Sequence, residues 1–183
     1  MLVAKKIKQK FTYADYVKWP DNERWELIDG EAYDMSPAPS FSHQKVVGNI
    51  YRILGNQLAG KKCIPGIAPT DIILSEYDVV QPDVFVVCDK KKITEANIQG
   101  APDVIIEVLS PSTGVKDRRE KKALYERFGV REYILVDLVE KYVESFYLME
   151  EGTYSKGNIL GADEILPFRV LDKVEIPLRE VFE

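Results

Sequence analysis

Long apolar runs are missing from this chain of 183 residues. None approaches the roughly 20 residues that a membrane-spanning helix needs, so no membrane partner is expected. The opening residues, Met1-Leu2-Val3-Ala4-Lys5-Lys6, lack the apolar core of a signal peptide, and the expected location is cytoplasmic. Cysteine is scarce. Cys63 and Cys88 are too few and too far apart for a disulfide framework or a zinc ribbon, and two buried thiols in a reducing cytosol are expected. Histidine occurs once, as His43, so no Cys/His set with zinc-ligand spacing exists. With no second histidine and no nucleophile elbow, Ser110 and Ser112 do not suggest a Ser-His-Asp hydrolase. A glycine-rich phosphate loop is also absent. There is no basic excess either: the net charge is −5. That argues against a protein that coats nucleic acid nonspecifically, but leaves room for a local basic cleft. The clusters Lys61-Lys62 and Lys90-Lys91-Lys92 read as solvated loop faces.

What is present is the balance of a globular protein, with 45% apolar and 30% charged residues. The length suits one domain over residues 1–183. Thr12 to Trp19 predicts a short helix, capped by Thr12 or Asp15, with Pro20 just beyond it. Trp25 to Met35 predicts a hairpin turning at Asp29-Gly30, and Ser36 to Ser42 a loop. Ser42 then caps a helix whose apolar stripe is Val46, Val47, Ile50, Tyr51, Leu54 and Leu58. Strands are expected over Ile67–Leu74 and Val79–Val87, then a short polar helix around Thr94–Gln99. The most hydrophobic strand runs Asp103-Val104-Ile105-Ile106-Glu107-Val108-Leu109. A helix over Arg118–Phe128 follows, with a capping box at Asp117 and Glu120 and a terminating Gly129. Tyr133–Asp137 is a buried strand by composition, Val143–Leu148 and the region of Tyr154 a meander. Strand, helix and strand at Glu107, Lys121 and Ile134 have the form of a βαβ crossover. The fold class is mixed α/β: a central mixed β-sheet flanked by helices.

Glu107 is the conspicuous residue. A lone carboxylate in so apolar a strand would cost several kcal/mol, roughly the penalty of burying a polar group without a partner. It calls for a cation opposite, either a metal ion or a lysine. Asp83, in Pro82-Asp83-Val84, opens the apolar run before it. Lys121 stands at the head of a helical stripe with Leu124, Tyr125 and Phe128, so it faces the sheet, while Lys122 is turned about 100° away. Two carboxylates and a lysine at a strand end suit phosphodiester hydrolysis by a divalent metal. Carboxylate oxygens bind Mg2+ or Mn2+; the metal activates water and neutralises developing charge, and a lysine orients water or stabilises the charge. Each residue also has a structural reading: Pro-Asp starts strands, a lysine snorkels, and Glu107 and Lys121 make an ion pair. Tyr125 reads as packing, with its hydroxyl bonded.

Several segments together resemble a known family. They are Trp-Glu-Leu-Ile-Asp-Gly-Glu at 25–31, His43-Gln44, Pro82-Asp83-Val84, and Ala-Pro-Asp-Val-Ile-Ile-Glu-Val-Leu-Ser-Pro-Ser-Thr at 101–113. Asp117-Arg118-Arg119-Glu120-Lys121, Tyr125, Gly129 to Tyr133, and Val136-Asp137 complete the set. The pattern is similar to the Uma-type restriction endonuclease family, within the PD-(D/E)xK nuclease superfamily. The resemblance implies a restriction-endonuclease-like core and Mg2+-dependent (or Mn2+-dependent) cleavage of DNA. It also implies Asp83 and Glu107 as metal ligands and catalytic residues, Lys121 as the catalytic lysine, and Glu26 as an auxiliary acid; His43, one turn before Val46 and Val47 on the same helical face, is a further auxiliary candidate by position. The superfamily signature places a lysine two residues after the glutamate; here Leu109 stands there, and the resemblance moves the lysine to Lys121. A homodimer is expected, since cutting both strands of a duplex needs two sites. An alternative reading stays open: a catalytically inactive nuclease-like fold kept as a DNA-binding or protein-interaction module. A weaker one is a phosphodiesterase acting on RNA or nucleotides.

Overall fold

Thr12 opens the first helix of the computed structural model, which describes residues 9–20, 22–35, 38–110 and 114–183. This helix, α1 (Tyr13–Tyr16), starts with a capping box: the Thr12 hydroxyl accepts from Asp15 N, and the Asp15 carboxylate accepts from Thr12 N. Strands β1 (Trp25–Ile28) and β2 (Glu31–Asp34) form the expected hairpin. Its turn residues Asp29 and Gly30 both have positive φ, 52° and 76°, as a tight primed turn requires. Helix α2 (Phe41–Leu58) starts at Ser40, not Ser42, because the Ser40 hydroxyl accepts from His43 N. Its buried stripe takes in Ile53, while Tyr51 is exposed.

The two long strands expected next are each broken by proline. The first resolves into β3 (Ile64–Ile67) and β4 (Ile72–Ser75), separated by a cis Ala68-Pro69 bond. The second resolves into β5 (Asp78–Val80) and β6 (Val84–Val87), separated at Gln81-Pro82-Asp83. A proline has no N–H to continue a ladder, and in both cases the halves enter different sheets. The polar helix expected around Thr94–Gln99 is a turn leading into β7 (Ile98–Gln99). There the Thr94 hydroxyl accepts from the amides of Ala96 and Asn97, a local bond that competes with helix. Strand β8 (Val104–Val108) carries Glu107. The following helical segment begins at Gly114, not Arg118, as α3 (Gly114–Lys116), a π-helical turn at Asp117–Lys121, and α4 (Lys122–Arg127). Asp117 is therefore buried inside a π turn and is not a cap. Gly129, with φ 77°, ends the segment as expected.

The chain continues through β9 (Glu132–Asp137), β10 (Tyr142–Tyr147), β11 (Asn158–Gly161), β12 (Ile165–Pro167), β13 (Glu175–Pro177) and α5 (Leu178–Phe182). The central sheet has six strands in the order β11-β10-β9-β8-β6-β3, with β8 and β9 parallel and the other pairs antiparallel. The βαβ crossover is thus present. A second sheet runs β2-β1-β5-β4-β7, and β12 pairs with β13. One face of the central sheet (Val84, Val86, Val104, Ile106) packs on α2 and the C-terminal segment. The other (Phe85, Val87, Ile105, Leu135) packs on α4 residues Leu124 and Tyr125 and on Ile28, Ile72 and Val80 of the second sheet. Alternation along β8 sends Glu107 to this second side.

The expected thiols are not found: Cys63 and Cys88 are joined as a disulfide. Ile64 pairs with Val87 in the antiparallel β3–β6 ladder, so the next residues outward stand face to face. Residues Met1 to Lys6, Ser36, Pro37 and Pro111 to Thr113, which carry part of the sequence reading, lie outside the described residues.

Candidate active site

Asp83 lies just before β6, and Glu107 lies near the end of the neighbouring antiparallel strand β8. The two acids meet where the strands begin to part. Asp83 N lies 3.4 Å from Glu107 Oε2, and Val108 N donates to Asp83 Oδ2 at 2.8 Å. Lys121 lies on the inward helical face, as its spacing to Leu124 and Tyr125 predicts, and its Nζ donates to Glu107 Oε1 at 2.8 Å. The Tyr125 hydroxyl donates to the same oxygen at 2.9 Å. Lys122 is half-buried over the Phe146 ring at 3.6 Å, not solvated.

Both auxiliary candidates join this cluster. Glu26, on β1 of the second sheet, is fully buried. Its Oε1 takes Lys121 Nζ at 2.7 Å and the amide of Gln81 at 3.1 Å, and its Oε2 takes Lys116 Nζ at 2.8 Å. His43, in the first turn of α2, places Nε2 3.3 Å from Asp83 Oδ2 and 3.0 Å from the Val108 carbonyl oxygen. His43 Nδ1 is buried with no partner among the described residues. Asp117 Oδ1 stands 3.9 Å from Lys121 Nζ. Lys116 was not among the residues the sequence marked, and Asp117 was expected as a helix cap, not as part of the site. Lys116, five residues before Lys121, would lie on another face of a regular helix, and Asp117 reads as a cap from its place at the start of the segment.

The electrostatics follow from crowding. Four carboxylates (Glu26, Asp83, Glu107, Asp117) face the ammonium groups of Lys116 and Lys121 and one imidazole. Burial, reinforced by the carboxylates of Asp117, Asp83 and Glu26, pushes Glu107 up to about 8 against the pull of Lys121. Burial would also raise Glu26, yet the two lysines hold it below the usual carboxylate range. Burial disfavours the Lys121 charge, but Glu107, Glu26 and Asp117 keep its pKa well above the ordinary lysine value. His43 is likewise opposed by burial and raised by Asp83 and the Val108 carbonyl. All these groups except Glu26 line a cleft of about 800 Å³, with Lys116, Arg24 and Arg119 on its walls.

The donor set suits one kind of metal. Among the described residues no group of three or more His, Cys, Asp or Glu side chains could hold an ion, which does not favour a protein-caged metal. A pair of hard carboxylates with surplus negative charge around it suits Mg2+, which takes one or two carboxylates and completes its shell with water and phosphate. No helix among the described residues is long and apolar enough to cross a membrane.

The fold is that of a mixed α/β protein, a central mixed sheet flanked by helices. The chain belongs to the Uma2 family, described as "Putative restriction endonuclease", whose model matches residues 13–179. It is 27% identical over 160 residues to an uncharacterised protein of Synechocystis sp., covering 85% of this chain and 84% of the relative. Its fold is similar to a crystal structure from Anabaena variabilis described as a "putative nuclease belonging to DUF820". That match has a TM-score of 0.78 at 16% identity and covers 94% of this chain and 97% of the other.

Proposed function

We propose that this protein is a divalent-metal-dependent endonuclease that hydrolyses DNA phosphodiester bonds in the cleft around Asp83 and Glu107. The observation that carries the reading is the gathering of Asp83, Glu107 and Lys121 at the parting of β6 and β8, with Asp83 N 3.4 Å and Lys121 Nζ 2.8 Å from the Glu107 carboxylate oxygens. Asp83 and Glu107 would hold Mg2+ or Mn2+. When bound, the ion supplies an acidified water and charge neutralisation at the phosphate. Lys121, buried and with its pKa held up by Glu107, Glu26 and Asp117, fixes Glu107 and contributes positive charge. Tyr125 orients the same carboxylate oxygen. His43 holds Asp83 against the end of β8. The basic residues Arg24, Lys116 and Arg119 on the cleft walls provide the local attraction for a polyanion that the overall charge of −5 does not. A homodimer would present the two sites needed to cut a duplex, and sedimentation equilibrium reads that directly.

Calorimetric titration with Mn2+ and cleavage of plasmid DNA test the proposal together. Wild-type protein should bind the ion and nick the plasmid. Asp83→Ala should remove both while remaining folded. A folded wild-type protein that binds neither Mg2+ nor Mn2+ at millimolar concentration would overturn the enzyme in favour of an inactive nuclease-like module. Parallel RNA substrates decide the nucleic acid.

A further inference from the structure

Two lysines reach this site, and they are not equivalent. Lys121 is 2% exposed. An ammonium group has three hydrogens to donate. Those of Lys121 serve Glu26 Oε1 at 2.7 Å and Glu107 Oε1 at 2.8 Å, with Asp117 Oδ1 at 3.9 Å on its remaining side. An incoming phosphate would have to displace a carboxylate to reach it. Lys116 is placed differently. Among the described residues its Nζ has one carboxylate partner, Glu26 Oε2 at 2.8 Å, and it rests 5.2 Å from the centre of the Tyr33 ring. Its side chain is 15% exposed, against 3% for Lys121, and it lines the cleft.

Resting on the nuclease reading, we propose that Lys116 is the lysine that contacts the substrate phosphate, while Lys121 is a buried positioning residue. Local backbone geometry makes this arrangement. The two lysines are five residues apart, which on a regular α-helix would set them about 140° from one another. The π-helical turn at Asp117–Lys121 widens the helix by one residue per turn and brings both onto one carboxylate. Glu26 gives one oxygen to each lysine. It thereby fixes the Lys116 ammonium near the acids while leaving two of its hydrogens free of hydrogen bonds among the described residues. Tyr33 covers one side of that ammonium with a ring face, which favours the cation without consuming a donor. The role is electrostatic: donors already in place accept charge that builds on a non-bridging phosphate oxygen.

The test compares Lys116→Met, Lys116→Arg and Lys121→Met with wild type, using a fluorescein-labelled DNA duplex. Anisotropy without metal over a salt series gives the slope of log affinity against log salt. Lys116→Met should lower that slope by about 0.9, the loss of one phosphate contact on duplex DNA. Lys116→Arg should restore it, whereas Lys121→Met, which releases Glu107, should weaken Mn2+ binding. With Mn2+ present, kcat for cleavage should fall about a hundredfold or more in Lys116→Met, with Mn2+ binding retained. Should Lys116→Met fail to fold by circular dichroism, Lys116→Gln, which keeps a donor for Glu26, replaces it. Unchanged slope and cleavage in a folded Lys116 variant would overturn the assignment. If wild type binds DNA but does not cut it, the nuclease reading falls, and the slope alone still decides Lys116. A wild type that binds no DNA at low salt overturns both.

Discussion

One ammonium group, that of Lys121, bridges two buried acids, Glu107 and Glu26. Removing it would leave both acids facing one another with only Lys116 to compensate. Breaking a buried pair by deleting one partner typically costs about 3–5 kcal/mol, and Lys121→Met should lose stability on that scale in urea unfolding. Glu107→Gln leaves Glu26 to hold the lysine and should cost less. The double variant should lose less than the sum of the two by about 1 kcal/mol or more, the coupling expected of groups in contact. Additive losses would show that the contact is not energetically coupled. Leu109, where the superfamily pattern has its lysine, is buried in the core and takes no part in this charge balance.

Short-range geometry at the level of elements explains what could and could not be read in advance. Asp83 and Glu107 were legible because each interrupts an apolar run, and Lys121 because its spacing to Leu124 and Tyr125 marks an inward face. Lys116 was not legible, since no residue pattern in Asp117-Arg118-Arg119-Glu120-Lys121 announces a π turn. Glu26 stood out as a carboxylate but not as a counter-ion, because its partners lie 90 residues away or more in the chain. The cysteine pair depends on β3 meeting β6, a register set by tertiary pairing. That ladder also holds the strand leading out of Asp83. Gly66 on β3 is paired with Phe85 on β6, and the ring lies where a Cβ of residue 66 would be. Gly66→Ala should therefore destabilise by about 1–3 kcal/mol, as overpacking does, and disturb Asp83 two residues before the ring. A melting temperature equal to wild type would contradict that picture.

For the whole molecule, the site makes stability depend on pH in the absence of metal. Glu107 is raised from its ordinary 4.5 to about 8, so between those values the folded protein holds a proton that the unfolded chain has released. Stability must then decline as pH rises through this window. His43, raised above 6.5, has the same sign: its contribution is complete below 6.5 and is lost as pH climbs through the folded value. Glu26 is lowered, so its contribution is present above its ordinary 4.5 and is lost only as pH falls through the folded value. Calorimetry of the metal-free protein should show the melting temperature falling from pH 4.5 to pH 8, and Glu107→Gln should flatten that slope. A flat wild-type profile would contradict the assignment of Glu107. Beyond its chemistry, the Lys121 contact has a mechanical consequence. Glu26 belongs to the five-stranded sheet and Glu107 to the six-stranded one, so the lysine between them is a rivet through two plates. Whatever reorganises that charge loosens the joint, and slippage of the sheets would scatter the acids. In this protein the site cannot drift independently of the frame it fastens.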